Sequence, residues 1–229
     1  TVSQIRQPVG CFSWMVPDYL CGTVRVRVAY PLDESAANTS AQFKIIPGLS
    51  VIAPRSSQDP YNDIWPVGTV QEIKWNCTSA NLSAVNLYYS IDGSNYTELI
   101  EENVSNAFPA NDTRTYNWTV ENTITPFFRV KVFDPDVENN SDIYNVSASN
   151  SKIIPFLNIT SPNGNETYIV GDNLSVRWDK NGTLTNVKID ISTDDFNNSI
   201  VSLHNNSSTV SNNERYDTAI PDMISKTVK

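Results

Sequence analysis

The chain repeats itself over a period the size of a small domain. Residues 115–132, TYNWTVENTITPFFRVKV, align without a gap to residues 11–28, CFSWMVPDYLCGTVRVRV, at an offset of 104 positions. Self-similarity at a fixed period of this length indicates a tandem array of structural units. The pairs that fall into register include Trp14/Trp118, Val16/Val120, Arg25/Arg129, Val26/Val130 and Val28/Val132.

A second internal match sets the phase of the array. WPVGTVQEIKW at 65–75 recurs as YIVGDNLSVRW at 168–178. The tetrapeptide KIIP at 44–47 recurs at 152–155. One repeat of about 105 residues is therefore expected to be complete, flanked by the end of one copy and the beginning of another. The predicted domains are the C-terminal part of a repeat at 1–48, a complete repeat at 49–154, and the N-terminal part of a third repeat at 155–229.

Short runs of residues with period-two alternation predict strands along the whole chain. TVRVRVAY at 23–30 alternates Val with polar residues, PLDESAAN at 31–38 is expected to be a turn region, and Asp92-Gly93 is a strong hairpin signal. Helical periodicity sustained over three turns is absent from the sequence. Seven strands are predicted in the complete repeat, at about 49–54, 69–76, 84–92, 96–104, 114–121, 126–134 and 143–153.

This pattern predicts an all-β fold of tandem immunoglobulin-like β-sandwich repeats. The tryptophans provide the expected core anchors, with Trp75 and Trp118 facing each other across the two sheets. Trp65 precedes Pro66 at a turn, where an exposed ring is the alternative to packing in the core. The predicted core residues are Trp14, Trp75, Trp118 and Trp178.

Asparagine usage points to the compartment. Sixteen Asn-X-Ser/Thr sequons occur in 229 residues, several times the number that ordinary composition gives. A polar surface that is simply rich in Asn and Thr is one explanation, but the density favours an extracellular, densely N-glycosylated chain. The predicted glycosylation sites are Asn38, Asn76, Asn81, Asn95, Asn103, Asn111, Asn117, Asn139, Asn145, Asn158, Asn165, Asn173, Asn181, Asn197, Asn205 and Asn206.

The net charge of −9 argues against a nucleic-acid partner, because little positive charge is present to neutralise phosphates. Candidate catalytic residues are also scarce. The single histidine, His204, lies in a polar stretch and is expected to be a solvated loop residue, so triads and zinc sites have no support. We therefore expect no enzyme, no cofactor and no metal.

One acidic loop could in principle hold calcium through carboxylate oxygens. A solvated loop is the favoured interpretation, because the corresponding loop of the first copy keeps only Asp33 and Glu34. The acidic residues of the loop are Asp134, Asp136, Glu138 and Asp142.

Three cysteines leave one without a partner. Mapped onto the repeat, Cys11 and Cys21 open neighbouring strands and form the favoured disulfide within the chain. Cys77 would then be free or joined to another chain.

A series of motifs in the complete repeat carries a resemblance to a known family. A Gly-containing turn is followed by I-x-W at 73–75, N-x-Y-Y-S-x-D-G at 86–93, Y-x-W-x-V at 116–120 and R-V-x-V at 129–132. This order resembles the immunoglobulin-like domain of the Ser/Thr-rich, GPI-anchored yeast cell-wall glucan-assembly family, and similar repeats of large microbial surface proteins. The chain departs from its own pattern at Glu121, where other copies have Pro17 and Pro221, and at Thr218, where they have Trp.

Two classes of function follow. The first is a structural repeat of a cell-surface or filament-forming protein that assembles head to tail with copies of itself or with adjacent repeats. Both ends of the chain fall inside repeats, so either covalently continuous repeats or strands donated by a neighbour are expected to cover them. The second is a polysaccharide-binding or adhesion module, with Trp65, Tyr88 and Tyr89 as the candidate aromatic platform. Packing is the favoured role of these three side chains.

Overall fold

The computed structural model describes residues 12–54, 64–107, 109–136, 143–204 and 209–222. Within these ranges the protein is all-β, as predicted, and contains no helix. We refer to residues 12–46 as the N-terminal segment, to 49–154 as the central unit, and to 156–222 as the C-terminal segment.

The N-terminal segment contains two antiparallel strand pairs, β1 with β4 and β2 with β3. The prediction that 31–38 is a turn region is wrong, because the turn occupies only residues 31–32 and a strand follows. Arg27 holds this hairpin together by donating from Nη2 to the Glu34 carbonyl oxygen at 3.0 Å. The strands are β1 (Cys21–Val24), β2 (Arg27–Tyr30), β3 (Asp33–Thr39) and β4 (Phe43–Ile45).

The central unit is built from two sheets. The first is antiparallel in the order β10-β7-β5, and the second has the order β6-β13-β11-β8-β9, with β12 also paired to β11. The strands of the first sheet are β5 (Leu49–Ala53), β7 (Val70–Cys77) and β10 (Thr113–Thr119). Those of the second are β6 (Ile64–Pro66), β8 (Ala84–Ser90), β9 (Glu98–Ser105), β11 (Thr125–Phe133), β12 (Tyr144–Val146) and β13 (Ser151–Ile154).

The Asp92-Gly93 hairpin is confirmed. Strands β8 and β9 pair antiparallel on either side of it, and Gly93 adopts a φ of +81°, which favours glycine. The strand expected at 143–153 is instead two strands, β12 and β13, which pair with different parts of β11.

The buried faces of the two sheets share one core. Trp75 and Trp118 are both buried in it, but they lie on neighbouring strands of the same sheet, so the prediction that they face each other across the sheets is wrong. From the second sheet, Phe128 stacks on Trp118 with ring centroids 5.6 Å apart, and Tyr89 packs at 5.2 Å. These contacts across the layers bury aromatic surface from both sheets.

Trp65 is also part of this core, with 3% of its surface exposed, so the ring packs as favoured and the exposed alternative is wrong. The reason is that Trp65-Pro66 does not form a turn but ends the short edge strand β6, where Pro is tolerated. The indole packs against Phe128 at 5.1 Å and against Trp118 at 6.0 Å.

Trp14, predicted to be a core residue, is 50% exposed. Trp118 is covered because β10 pairs with β7 and packs on the opposite sheet. Residues 12–20 form no strand in the structure, so no sheet surrounds Trp14 in the same way.

The C-terminal segment has a smaller core of its own, which contains the buried Trp178. A three-stranded sheet in the order β14-β15-β20 lies beside the pairs β16-β19 and β17-β18. The strands are β14 (Phe156–Ser161), β15 (Asn173–Asn181), β16 (Asn186–Val187), β17 (Asp190–Ser192), β18 (Ile200–Ser202), β19 (Val210–Ser211) and β20 (Arg215–Ala219). The core side chains are Leu174, Val176, Trp178, Val187, Ile189 and Leu203.

His204 is 5% exposed, so the prediction of a solvated loop residue is wrong. The preceding residue explains this burial. Leu203 is part of the small core, and its backbone N–H donates to the Ile189 carbonyl at 3.0 Å, which draws the chain inward.

Two tryptophan substitutions test the placement of the core. Trp65→Ala should destabilise the protein by about 3 to 5 kcal/mol, since it deletes a large buried aromatic. Trp14→Ala should cost less than about 1 kcal/mol, because half of that side chain is already in water. Chemical denaturation of both variants measures this difference, and equal losses would contradict the assignment of Trp65 to the core.

Candidate functional site

A buried asparagine holds the central indole of the first sheet. Trp75 Nε1–H donates to Asn106 Oδ1 at 2.9 Å, and Asn106 Nδ2 donates to the Leu82 carbonyl at 2.7 Å. Both side chains are fully buried. The bonds join the middle of β7 to the loop before β8 and to the end of β9, and so close this end of the central unit.

The same arrangement occurs in the C-terminal segment. Trp178 Nε1–H donates to Asn212 Oδ1 at 2.8 Å, and Asn212 Nδ2 donates to the Leu184 carbonyl at 2.9 Å. Trp178 lies in β15 as Trp75 lies in β7, and Asn212 follows β19 as Asn106 follows β9. Identical donors and acceptors thus occur at matching points of two separate cores.

Backbone hydrogen bonds extend the match. Gly68 and Gly171 have φ of +77° and +88°, respectively. The Gly68 N–H donates to the Val120 carbonyl at 2.8 Å, and the Gly171 N–H donates to the Ile220 carbonyl at 3.1 Å. Val120 and Ile220 therefore occupy equivalent places, each just after the third strand of its sheet.

Two aspartates cap equivalent turns. The Asp92 carboxylate accepts hydrogen bonds from the backbone N–H groups of Asn95 and Ser94 at 2.7 and 2.8 Å, and these bonds hold its pKa well below the usual range. Asp194 accepts from the Ser199 N–H at 3.0 Å, and its pKa is lowered by that bond. Each aspartate also accepts from the serine two residues before it, at 2.8 Å in both cases.

The N-terminal segment is attached to the central unit through Asp18. Its carboxylate accepts from Ser79 Oγ at 2.5 Å and from the Ala80 N–H at 2.9 Å. Asn81 Nδ2 donates to the Asp18 carbonyl oxygen at 2.7 Å. The hydrogen bond from Ser79 is the main reason that the pKa of Asp18 is lowered. We call this contact the first joint.

The central unit is attached to the C-terminal segment through Asn122. Its Oδ1 accepts from the Thr183 N–H at 2.9 Å, and its Nδ2 donates to Thr183 Oγ1 at 2.8 Å. Gly182 sits close to Val67 and Pro155, and a Cβ on it would lie 3.4 Å from atoms of both. We call this contact the second joint.

Sequon asparagines lie mostly on the surface. Thirteen of the sixteen fall within the described residues, and eleven of these are exposed. Asn117 is an informative case, since it points outward from β10 while Trp118 beside it is buried. Asn139, Asn205 and Asn206 lie outside the described residues. The exposed sites are Asn38, Asn81, Asn95, Asn103, Asn111, Asn117, Asn158, Asn165, Asn173, Asn181 and Asn197.

The other two described sequons are partly buried. Asn145 Oδ1 accepts from the Val51 N–H at 2.9 Å and so links β12 to β5 of the other sheet. Asn76 lies on β7 and is also partly buried. A glycan attaches to the amide nitrogen of Asn, and the oxygen that Asn145 uses would remain available.

The cysteines are placed as follows. Cys77 is fully buried, and its Sγ–H donates to the Ser79 carbonyl at 3.3 Å, so the thiol does not face a neighbouring chain. Cys21 is partly exposed at the start of β1. Cys11 lies outside the described residues, and the Cys11–Cys21 disulfide stays a prediction.

Among the described residues, no group of three His, Cys, Asp or Glu side chains converges in a way that could hold a metal ion. Of the acidic loop, Asp134 is buried and Asp136 is exposed, while Glu138 and Asp142 lie outside the described residues. In the same described ranges, no helix is long and apolar enough to cross a membrane.

The candidate aromatic platform is not assembled on the surface. Trp65 and Tyr89 are both buried, and the Tyr89 hydroxyl donates to Glu121 Oε2 at 3.0 Å. Burial raises the pKa of Tyr89 to about 12. Tyr88 alternates to the other face and packs on Phe133 with ring centroids 5.4 Å apart.

No protein-family model matches this chain, and neither a curated protein nor a solved structure shows detectable similarity to it.

The two joints were not predicted from the sequence, although a signal for them exists. Asp18 and Asn122 are 104 positions apart, at the offset of the internal repeat. Their partners are Ser79 and Ala80 after β7 and Thr183 after β15, which do not match in sequence. An alignment of the three copies at Pro17, Glu121 and Pro221 would have identified the joint position. The residues that follow these three are Asp18, Asn122 and Asp222.

The first joint should weaken in acid while the second does not. An Asp with a lowered folded-state pKa contributes stability that is present above its unfolded pKa of about 3.9 and is lost as the pH falls through the folded value. Asn122 does not titrate. In an NMR titration from pH 7 to pH 2, the Ala80 amide signal should shift with a midpoint below about 3.9. A Thr183 amide that followed the same curve would contradict this account.

Proposed function

We propose that the chain is part of a heavily N-glycosylated extracellular surface or filament-forming protein, built from tandem immunoglobulin-like β-sandwich repeats of about 105 residues. The observation that carries the proposal is the exposure of eleven of the thirteen described sequon asparagines. The sites lie on strands and turns of all three parts of the chain. Glycans on them would coat the chain along its length, which keeps a large surface soluble.

The repeat organisation is supported by the hydrogen bonds that occur twice. The Trp75–Asn106 and Trp178–Asn212 pairs, together with the turns at Gly68 and Gly171, make equivalent bonds around separate cores. Independent segments of unlike fold would not reproduce donors, acceptors and strand positions together. The central unit would be one complete repeat, and the flanking segments would be parts of its neighbours.

A structural role fits the joints better than a catalytic one. Asp18 and Asn122, the polar side chains that join the parts of the chain, are both committed to contacts between segments. Head-to-tail contact of this kind produces a rod, and covalently continuous repeats are the simplest way to extend it. Of the aromatic platform in the polysaccharide-binding alternative, Trp65 and Tyr89 are buried and only Tyr88 is partly exposed, so this alternative has less support.

Site-resolved glycopeptide mass spectrometry on the protein from its native source tests the proposal. Enzymatic release of the glycans in heavy-oxygen water converts each occupied Asn into a labelled Asp. We expect label at most of the eleven exposed sites, because these asparagines lie on the solvent-accessible surface. Asn150, which is exposed and lies outside any sequon, is the matched control for spontaneous deamidation. Label at fewer than about a quarter of the sequons would contradict a glycosylated surface protein.

A further inference from the structure

The two joints use the same position of successive units. Asp18 and Asn122 each lie in the middle of a tight turn, in which the following residue donates its N–H to the carbonyl of the preceding residue at 2.8 and 2.9 Å. Each reaches the turn that follows the central strand of the next sheet. The backbone N–H that donates to this side chain belongs to Ala80 after β7 and to Thr183 after β15.

The chemistry of the contact explains why either Asp or Asn serves. At the first joint, the hydroxyl of Ser79 donates to the Asp18 carboxylate. At the second joint, the hydroxyl of Thr183 accepts from the Asn122 amide. A hydroxyl is both a donor and an acceptor, so one kind of turn satisfies both side chains. In each case a side-chain oxygen also accepts the backbone N–H of the turn.

The covalent link between neighbouring parts is short, and the polypeptide crosses from one part to the next only once. Only Pro155 separates β13 from β14 at the second joint, and residues 46–48 separate β4 from β5 at the first. One chain crossing restrains rotation about the link less than two points of attachment do. A side chain that bonds the next unit at a second point restrains that rotation.

We propose that the side chain at the position of Asp18 and Asn122 acts as a clasp. Together with the hydroxyl-bearing turn to which it is hydrogen-bonded, it fixes the orientation of each unit on the next. This inference rests on the proposed repeat organisation. It also defines a partner surface, because Asp222 stands two residues after Ile220 as Asn122 stands two residues after Val120. The surface at Asp222 fits the turn of a further unit that presents a Ser or Thr hydroxyl and a backbone N–H.

Substitutions at Asn122 test the clasp in the full 229-residue chain, produced without glycans. Residual dipolar couplings measured on the amides of the central unit and of the C-terminal segment report whether the two share one alignment tensor. Asn122→Ala removes both hydrogen bonds, whereas Asn122→Asp keeps an acceptor for the Thr183 N–H and lets the hydroxyl donate. Asn163→Ala is the matched control, because Asn163 is an exposed asparagine that lies in a turn away from the second joint.

We expect one shared tensor for the wild type, for Asn122→Asp and for Asn163→Ala. In Asn122→Ala, the alignment magnitudes of the two parts should differ at least twofold, and the Thr183 amide should exchange about tenfold faster, as expected for the loss of one hydrogen bond. Thr183→Val, which removes only the hydroxyl, should produce a smaller change in the same direction.

A shared tensor in Asn122→Ala, or independent tensors in Asn122→Asp, would overturn the clasp. Asn122 is exposed, and the amide spectra of the two parts show directly whether each remains folded. The result does not depend on glycans. Absence of glycosylation in the native protein would remove the proposed function and leave the clasp standing, whereas failure of the clasp would leave the glycosylated coat untouched.

Discussion

The structure depends on the need to satisfy a tryptophan N–H inside a β-rich core. An unpaired indole N–H in an apolar interior is costly, and in both cores an asparagine supplies the acceptor. Because each asparagine also bonds a loop carbonyl, the indole is tied to two other parts of the chain. The strands and turns around Trp75 and Trp178 then fall into equivalent positions.

Much of the fold could be predicted from local sequence patterns. The strands of the central unit and the Asp92-Gly93 hairpin followed from alternation and turn chemistry, since both are properties of neighbouring residues. The errors concerned long-range partners. Trp65 was assigned to a turn because Pro66 follows it, and only the pairing of β6 with β13 shows that this is an edge strand. Trp14 was assigned to a core by its match to Trp118, although burial depends on the sheets that surround a residue.

Surface features likewise differ in whether local sequence pattern predicts them. Outward-facing sequons such as Asn117 could be placed from period two, because neighbours on a strand take opposite faces. The joints could not, since Asp18 and the Ala80 N–H are 62 residues apart and the bond belongs to the contact between two units. Sequence repetition indicates which positions are equivalent. It does not indicate which of them touch.

We have proposed that this chain belongs to a glycosylated protein outside the cell. Labelling intact cells of the source organism with a membrane-impermeant amine reagent, and comparing the recovered protein before and after enzymatic removal of N-glycans, tests it most directly. We expect the protein to be labelled without lysis and its apparent mass to fall sharply on deglycosylation. A protein that is labelled only after lysis and whose mass does not change would contradict the account.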